Sequence, residues 1–187
     1  MELFLNKITY YTDGACSRNP GSGGYAVISL SRDWSQTMSE YIERLSLNYS
    51  YAEYFENTTN NRMELGAVIH ALELAKANPQ YEYEIYSDSA YVVNICNDWI
   101  WRWAAAGWVR GKNQPIENLD LIQKLYELMN FADFKFSIVK CKGHSDILEN
   151  ELADALASNN KVKFNKLMKE NKILDNTKGD VNNGQII

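Results

Sequence analysis

Residues 8–13, Ile-Thr-Tyr-Tyr-Thr-Asp, are β-branched and aromatic and run into Gly14, which predicts a strand ending near Asp13. The turn-rich stretch Asn19-Pro20-Gly21-Ser22-Gly23-Gly24 separates it from Tyr25-Ala26-Val27-Ile28-Ser29-Leu30, so the two apolar runs are expected to pair as a β-hairpin. Alternation at Tyr49, Tyr51, Glu53 and Phe55 predicts a third strand. Between these strands Trp34, Met38, Tyr41, Ile42 and Leu45 recur at helical spacing, which makes 31–48 an extended hairpin insertion holding a short amphipathic helix.

From Asn61 the period becomes 3.6. Met63, Leu65, Val68, Ile69, Leu72 and Ala75 form one stripe, and Pro79 stops the helix. Tyr83 to Ser87 reads as a strand, followed by a helix after Asp88, a Trp-dense stretch from Trp99 to Trp108, and a helix over about 119–130. A strand over about 135–140 and a helix over about 149–157 complete the pattern. Strands that first meander and then alternate with helices predict an α/β fold with a mixed sheet. Residues 1–159 are read as one domain and 160–187 as a basic, Asn/Lys-rich C-terminal tail with one weakly amphipathic piece, Phe164, Leu167, Met168 and Ile173.

Composition narrows the class. A chain of 187 residues that is 45% hydrophobic and 23% charged has enough apolar surface for one folded domain, which excludes wholesale disorder. The acidic start and the lack of any apolar run of about 18 residues give no secretory signal and no membrane partner. Cys16, Cys96 and Cys141 are odd in number and lack zinc-ligand spacing, so a reducing cytoplasm is expected. The net charge of −5 argues against an acidic partner such as nucleic acid, unless the acids bind metal. That charge is uneven: residues 1–157 hold 13 Lys/Arg against 21 Asp/Glu, and 158–187 hold 6 against 3.

Four acids carry the candidate chemistry: Asp13 at a strand end, Glu64 in the first turn of a helix, Asp88 at a strand-to-helix junction and Asp154 inside the last helix. Each of the first three has a bland reading, as a turn residue, as half of a capping pair with Asn61, and as an N-cap. Asp154 is harder to explain away, because Asp is a poor mid-helix residue and Ser158 offers no cation four positions on.

The words around these acids decide between the readings. Thr12-Asp13-Gly14-Ala15, Thr59-Asn60-Asn61-Arg62-Met63-Glu64-Leu65, Ser87-Asp88-Ser89-Ala90-Tyr91, Lys142-Gly143-His144 and Asn150-Glu151-Leu152-Ala153-Asp154 occur in this order. Over residues 8–157 the chain resembles type 1 ribonuclease H, the bacterial-type enzyme that cuts the RNA strand of RNA/DNA hybrids. The resemblance implies a ribonuclease H-like fold, a five-stranded mixed sheet flanked by helices. It also implies a metal-dependent endonuclease that leaves 5′-phosphate and 3′-hydroxyl ends.

Asp13, Glu64, Asp88 and Asp154 are then the metal ligands, for two Mg²⁺ ions with Mn²⁺ as the alternative, and His144 assists proton transfer or product release. By the same resemblance Asn19, Thr59, Asn60, Asn61, Trp99 and Asn118 contact the substrate, through sugar and phosphate rather than bases, so that cleavage is largely independent of sequence. The expected partner is an RNA/DNA hybrid and the expected state a monomer. Hard divalent ions prefer carboxylate oxygens, and clustered acids need cations to offset their repulsion, which reconciles the acidic charge with a nucleic-acid substrate.

Three features depart from the family. The Ala104-Ala105-Ala106-Gly107 stretch stands where many members carry adjacent lysines, Ala90 stands where bacterial relatives often have Gln, and the hairpin of 31–48 is longer than usual, while the tail has no family counterpart. Two other functions fit the same motifs less well. One is a hybrid-binding module without activity, which would have no use for clustered acids; the other is a nuclease of the same fold acting on other nucleic acid.

Overall fold

The computed structural model describes residues 7–30, 49–143, 147–171 and 185–186. The amphipathic helix expected within 31–48, and His144, lie outside the described residues. Strand β1 (Lys7–Cys16) is followed by β2 (Gly21–Ser29), β3 (Tyr49–Thr58), helix α1 (Asn60–Ala77) and β4 (Glu82–Ser87). Helix α2 (Ala90–Asn94) continues through a π-helical turn (Ile95–Trp99) into α3 (Ile100–Ala105). Then come α4 (Leu119–Asn130), β5 (Lys135–Lys140), α5 (Leu148–Ala157), α6 (Lys161–Glu170) and a two-residue β6 (Gln185–Ile186).

The sheet order is β5-β4-β1-β2-β3-β6. β1, β2 and β3 pair antiparallel in chain order, as a meander, whereas β1–β4 and β4–β5 are parallel, with helices between the paired strands in the chain. The expected five-stranded mixed sheet is thus present, and β6 adds a short edge against Ser50 and Tyr51.

Both faces of the sheet are covered, so the middle of β2 is buried continuously from Tyr25 to Ile28. Val27 joins the larger core with Leu65, Val68 and Leu72 of α1, Tyr83 and Ile85 of β4, and Leu125 of α4. Its neighbours Ala26 and Ile28 point the other way, onto Leu152 and Leu156 of α5. The period of two along one strand therefore feeds two helical layers. All six apolar residues of the predicted α1 stripe are buried.

Part of the segment read as tail packs on the body. Residues 161–170 are helical, and Phe164, which is only 7% exposed, packs with Leu167 and Met168 into the same cluster as Leu152 and Leu156. The three share one side of α6 at i, i+3 and i+4, so a segment poor in apolar residues overall still presents an apolar stripe. Phe164→Ala should therefore lower unfolding stability by about 3 kcal/mol, and truncation after Asn159 by at least as much. Urea midpoints unchanged by both alterations would show that α6 contributes nothing to the core.

Among the described residues no helix is long and apolar enough to cross a membrane.

Candidate active site

The parallel register of β1 and β4 brings the first two acids together. Thr12 pairs with Ser87 as the last partners of that ladder, so the next residues, Asp13 and Asp88, emerge side by side where the parallel pairing ends. β1 itself runs on to Cys16, paired with β2, and Asp13 lies opposite Ala26. Asp13 is thus inside a strand and not at its end as expected; its Oδ1 accepts the Gly14 N–H at 2.8 Å. Asp88 is not the helix cap either. Ser89 caps α2, its hydroxyl accepting from Val92 N at 3.4 Å, which leaves the Asp88 carboxylate available for other partners.

Glu64 is delivered by α1. That helix begins at Asn60 and is capped by Thr59, whose Oγ1 accepts from Arg62 N at 3.4 Å. The predicted capping pair of Asn61 with Glu64 does not form, and Glu64 falls in the second turn, buried between Met63 and Leu65. An acid there serves no helix end, so its position needs another reason. The approach of α1 to β1 is close because Gly14 has no side chain: a Cβ at that position would stand 2.2 Å from Glu64 N and 2.4 Å from the Met63 carbonyl carbon.

Asp13, Glu64 and Asp88 each offer an oxygen to one group of atoms lying within 4.8 Å of one another. Asp13 is 7% and Glu64 5% exposed. Burial, followed by the charges of Asp88 and Asp154, pushes the Asp13 carboxyl up to about 8, with the Gly14 N–H and Lys163 acting in the opposite direction. Glu64 is likewise raised well above the usual carboxylate range, by burial first and then by Asp13 and Asp88. Glu64 Oε1 has Asn60 Nδ2 at 3.5 Å, but Oε2 is buried without any hydrogen-bond partner. A buried carboxylate oxygen left unpaired is costly, and an all-oxygen donor set of this kind suits a hard divalent cation.

Asp154 stands beside this group rather than within it. It lies on α5, in the opposite layer, and its Oδ2 holds the Lys163 ammonium of α6 at 2.6 Å. The sequence reading missed Lys163, because nine residues separate the pair and no single helix brings i and i+9 together. The turn over 158–160 does so. Asn159 is left-handed at φ 55°, and Asn160 caps α6 by accepting from Lys163 N at 2.9 Å. The Asn159-Asn160 pair after a helix was the available signal.

The candidate substrate contacts fall into two sets flanking the acids. Asn19 Oδ1 accepts from Asn60 N at 3.2 Å, next to the Thr59 cap and half-buried Asn61. In the other set Asn118 is left-handed at φ 57° and its Nδ2 donates to the Tyr91 hydroxyl at 3.3 Å, while the Tyr91 ring meets Trp99 edge-on with centroids 6.4 Å apart. Tyr91, which the sequence reading did not single out, thereby links Asn118 to Trp99. The two sets are joined below by Arg62 at one helix start and Asp120 at the other, in a two-pronged ion pair with N–O distances of 2.9 and 2.7 Å.

Trp99 and Trp103 line a cleft of about 460 Å³ with Arg102, Ala106, Val109, Arg110 and Gly111. Arg102 is paired with Asp98 one turn back, and Arg110 Nε donates to the Pro115 carbonyl at 3.0 Å. Gly143, the last described residue before His144, lies against the acids: a Cβ there would meet Asp88 Oδ2 at 2.7 Å.

Residues 5–161 match the family model of ribonuclease H. The chain is 44% identical over 154 residues to a ribonuclease H of Desulforamulus reducens, covering 82% of this chain and 86% of that one. It is 39% identical over 172 residues to a ribonuclease H of Orientia tsutsugamushi, covering 91% and 90%. Among solved structures, a type 1 ribonuclease H with the type 2 active-site motif superposes with a TM-score of 0.65 at 25% identity, over 84% of this chain and 72% of that one. The ribonuclease H1 of Halobacterium salinarum superposes with a TM-score of 0.52 at 23% identity, over 88% and 98%. A foamy viral protease-reverse transcriptase in complex with RNA/DNA hybrid matches 83% of this chain with 20% of its own, at a TM-score of 0.65 and 21% identity.

Proposed function

As the chain belongs to the ribonuclease H family and hydrolyses the RNA strand of RNA/DNA hybrids, we propose that Asp13, Glu64, Asp88 and Asp154 perform that reaction by holding two Mg²⁺ ions, with Mn²⁺ as the alternative. The observation that carries this reading is the buried, unpaired Glu64 Oε2 in a group of carboxylate oxygens within 4.8 Å of one another. Bound there, the cations would acidify the attacking water and offset charge on the leaving 3′-oxygen.

The protein's own part is placement. β1 and β4 fix Asp13 and Asp88 relative to each other through the ladder, and the close packing of α1 on Gly14 sets Glu64 against them. Rigid elements of this kind hold catalytic groups better than loops do. His144 is assigned the proton-transfer or product-release role, since an imidazole can take up and give up a proton under neutral conditions.

Asn19, Thr59, Asn60 and Asn61 on one side, and Asn118 with Trp99 on the other, are assigned to the sugar-phosphate backbones. This reading leaves products with 5′-phosphate and 3′-hydroxyl ends and little dependence on base sequence. The 2′-hydroxyl test that marks the RNA strand falls to the amide side chains, which can both donate and accept. A reducing, cytoplasmic setting fits the three free cysteines, and the protein is taken to act as a monomer.

The test is cleavage of end-labelled RNA/DNA hybrid, duplex DNA, duplex RNA and single strands, with Mg²⁺ and with chelator. Only the hybrid, only its RNA strand and only the metal-containing reaction should give products. Cleavage of another substrate at a comparable rate would instead favour a nuclease of the same fold with a different target. Binding without cleavage would favour the inactive hybrid-binding module.

A further inference from the structure

We propose that Lys163 is a positioning residue for the metal site: its ammonium is a built-in counter-ion of Asp154 with which a divalent cation must compete, so that α6 raises the cation concentration at which the site fills. This rests on the reading that the carboxylates hold metal. It goes beyond that reading because α6 lies almost wholly past residue 161, where the family match ends.

The geometry that supports it is specific. Lys163 Nζ sits 2.6 Å from Asp154 Oδ2 and 2.8 Å from Glu151 Oε2. Asp154 and Glu151 are three residues apart on α5 and so share a face. The ammonium therefore has a second carboxylate at hand, and it can give up Asp154 without leaving the protein. Its reach is also anchored, because Asn160 accepts from the Lys163 backbone N–H at 2.9 Å and Phe164, the next residue, is buried on the body. The lysine side chain is only 32% exposed, which limits screening by solvent.

A cation and an ammonium drawn to the same carboxylate compete for its negative charge, and even when the ammonium has moved to Glu151 its charge opposes a divalent ion nearby. The lysine thus holds the Asp154 carboxylate in place before metal arrives, and raises the concentration of metal needed to take it over.

The experiment uses the full chain without nucleic acid and reads the Mg²⁺ concentration for half-maximal thermal stabilisation, with calorimetric Mg²⁺ titration alongside. Lys163→Met keeps an unbranched side chain of similar length and removes the charge. It should lower the half-saturating Mg²⁺ concentration by roughly three- to tenfold, the scale of one unit charge acting on a divalent ion a few ångströms away in partly screened surroundings. Lys163→Arg should stay within about twofold of the parent. In an Asp154→Asn background the same Lys163→Met exchange should shift the midpoint clearly less than in the parent, because the competition for Asp154 is gone and only the ammonium's field on the ion remains.

A midpoint unmoved by Lys163→Met, moved to higher Mg²⁺, or moved equally in the Asp154→Asn background would overturn the proposal while leaving the metal site standing. If the parent protein showed no stabilisation by Mg²⁺ or Mn²⁺ at all, the metal site itself would fall, and the counter-ion role with it.

Discussion

Asp88→Asn is expected to lower hybrid hydrolysis by at least about 100-fold, the usual cost of removing an electrostatic element of a catalytic site. The exchange keeps side-chain shape and removes one ligand charge from the group formed with Asp13 and Glu64. The fold should survive it, because Ser89 and not Asp88 caps the following helix, and the strand ladder ends one residue earlier at Ser87. Folding in chelator should even improve slightly. Asp88 is among the charges that raise both Asp13 and Glu64, so its loss relieves repulsion inside the cluster. The measurement is initial cleavage rate at saturating Mg²⁺, paired with thermal melts in chelator. Turnover above a tenth of the parent would sink the assignment of Asp88 as a ligand, and a melting temperature well below the parent would give it a structural role instead.

The second large effect is expected at Gly14, and it falls on stability first. In Gly14→Ala the new methyl would stand 2.2 Å from Glu64 N, 2.4 Å from the Met63 carbonyl carbon and 2.8 Å from the Glu64 Cα. All three are backbone atoms of α1, so no side-chain rotation relieves the overlap. The helix must back away from β1, yet Leu65, Val68 and Leu72 on its inner face are fully buried in the main core. Forced separation of packed elements should cost about 3 kcal/mol or more. Because Glu64 is the residue pushed, activity should fall further than the loss of folded protein explains. Gly111→Ala is the internal comparison. A Cβ there meets nothing within 4 Å, and its effect should stay within about 0.5 kcal/mol. Equal urea midpoints for the two exchanges would show that β1 and α1 are not locked at Gly14.

The order of elements and the identity of the acids are matters of local pattern. The stripe from Met63 to Ala75, the strand 135–140 and the helix 119–130 repeat with the periods of their structures, and each forms where its period predicts. The motif words carried the family because they surround residues whose chemistry is demanding and whose neighbours are constrained. Where a residue's local meaning and its tertiary meaning competed, the local one misled. Asp13 reads as a turn residue because glycine follows it, but Gly14 is there to admit α1. Asn61 and Glu64 read as a capping pair, but Thr59 caps the helix and Glu64 faces the sheet.

What the sequence determined by itself is therefore the inventory: the α/β class, the helices and strands of the body, and four acids in a recognisable order. Tertiary structure decided which groups meet. The parallel register of β1 with β4 sets Asp13 beside Asp88 across 75 positions of chain, and this depends on hydrogen bonds between strands that no local period encodes. It also decided that residues past 159 belong to the body. Phe164, Leu167 and Met168 are too few to mark a core by composition, but they bury against an apolar surface that α5 and β2 create only once folded, and that docking carries Lys163 to Asp154.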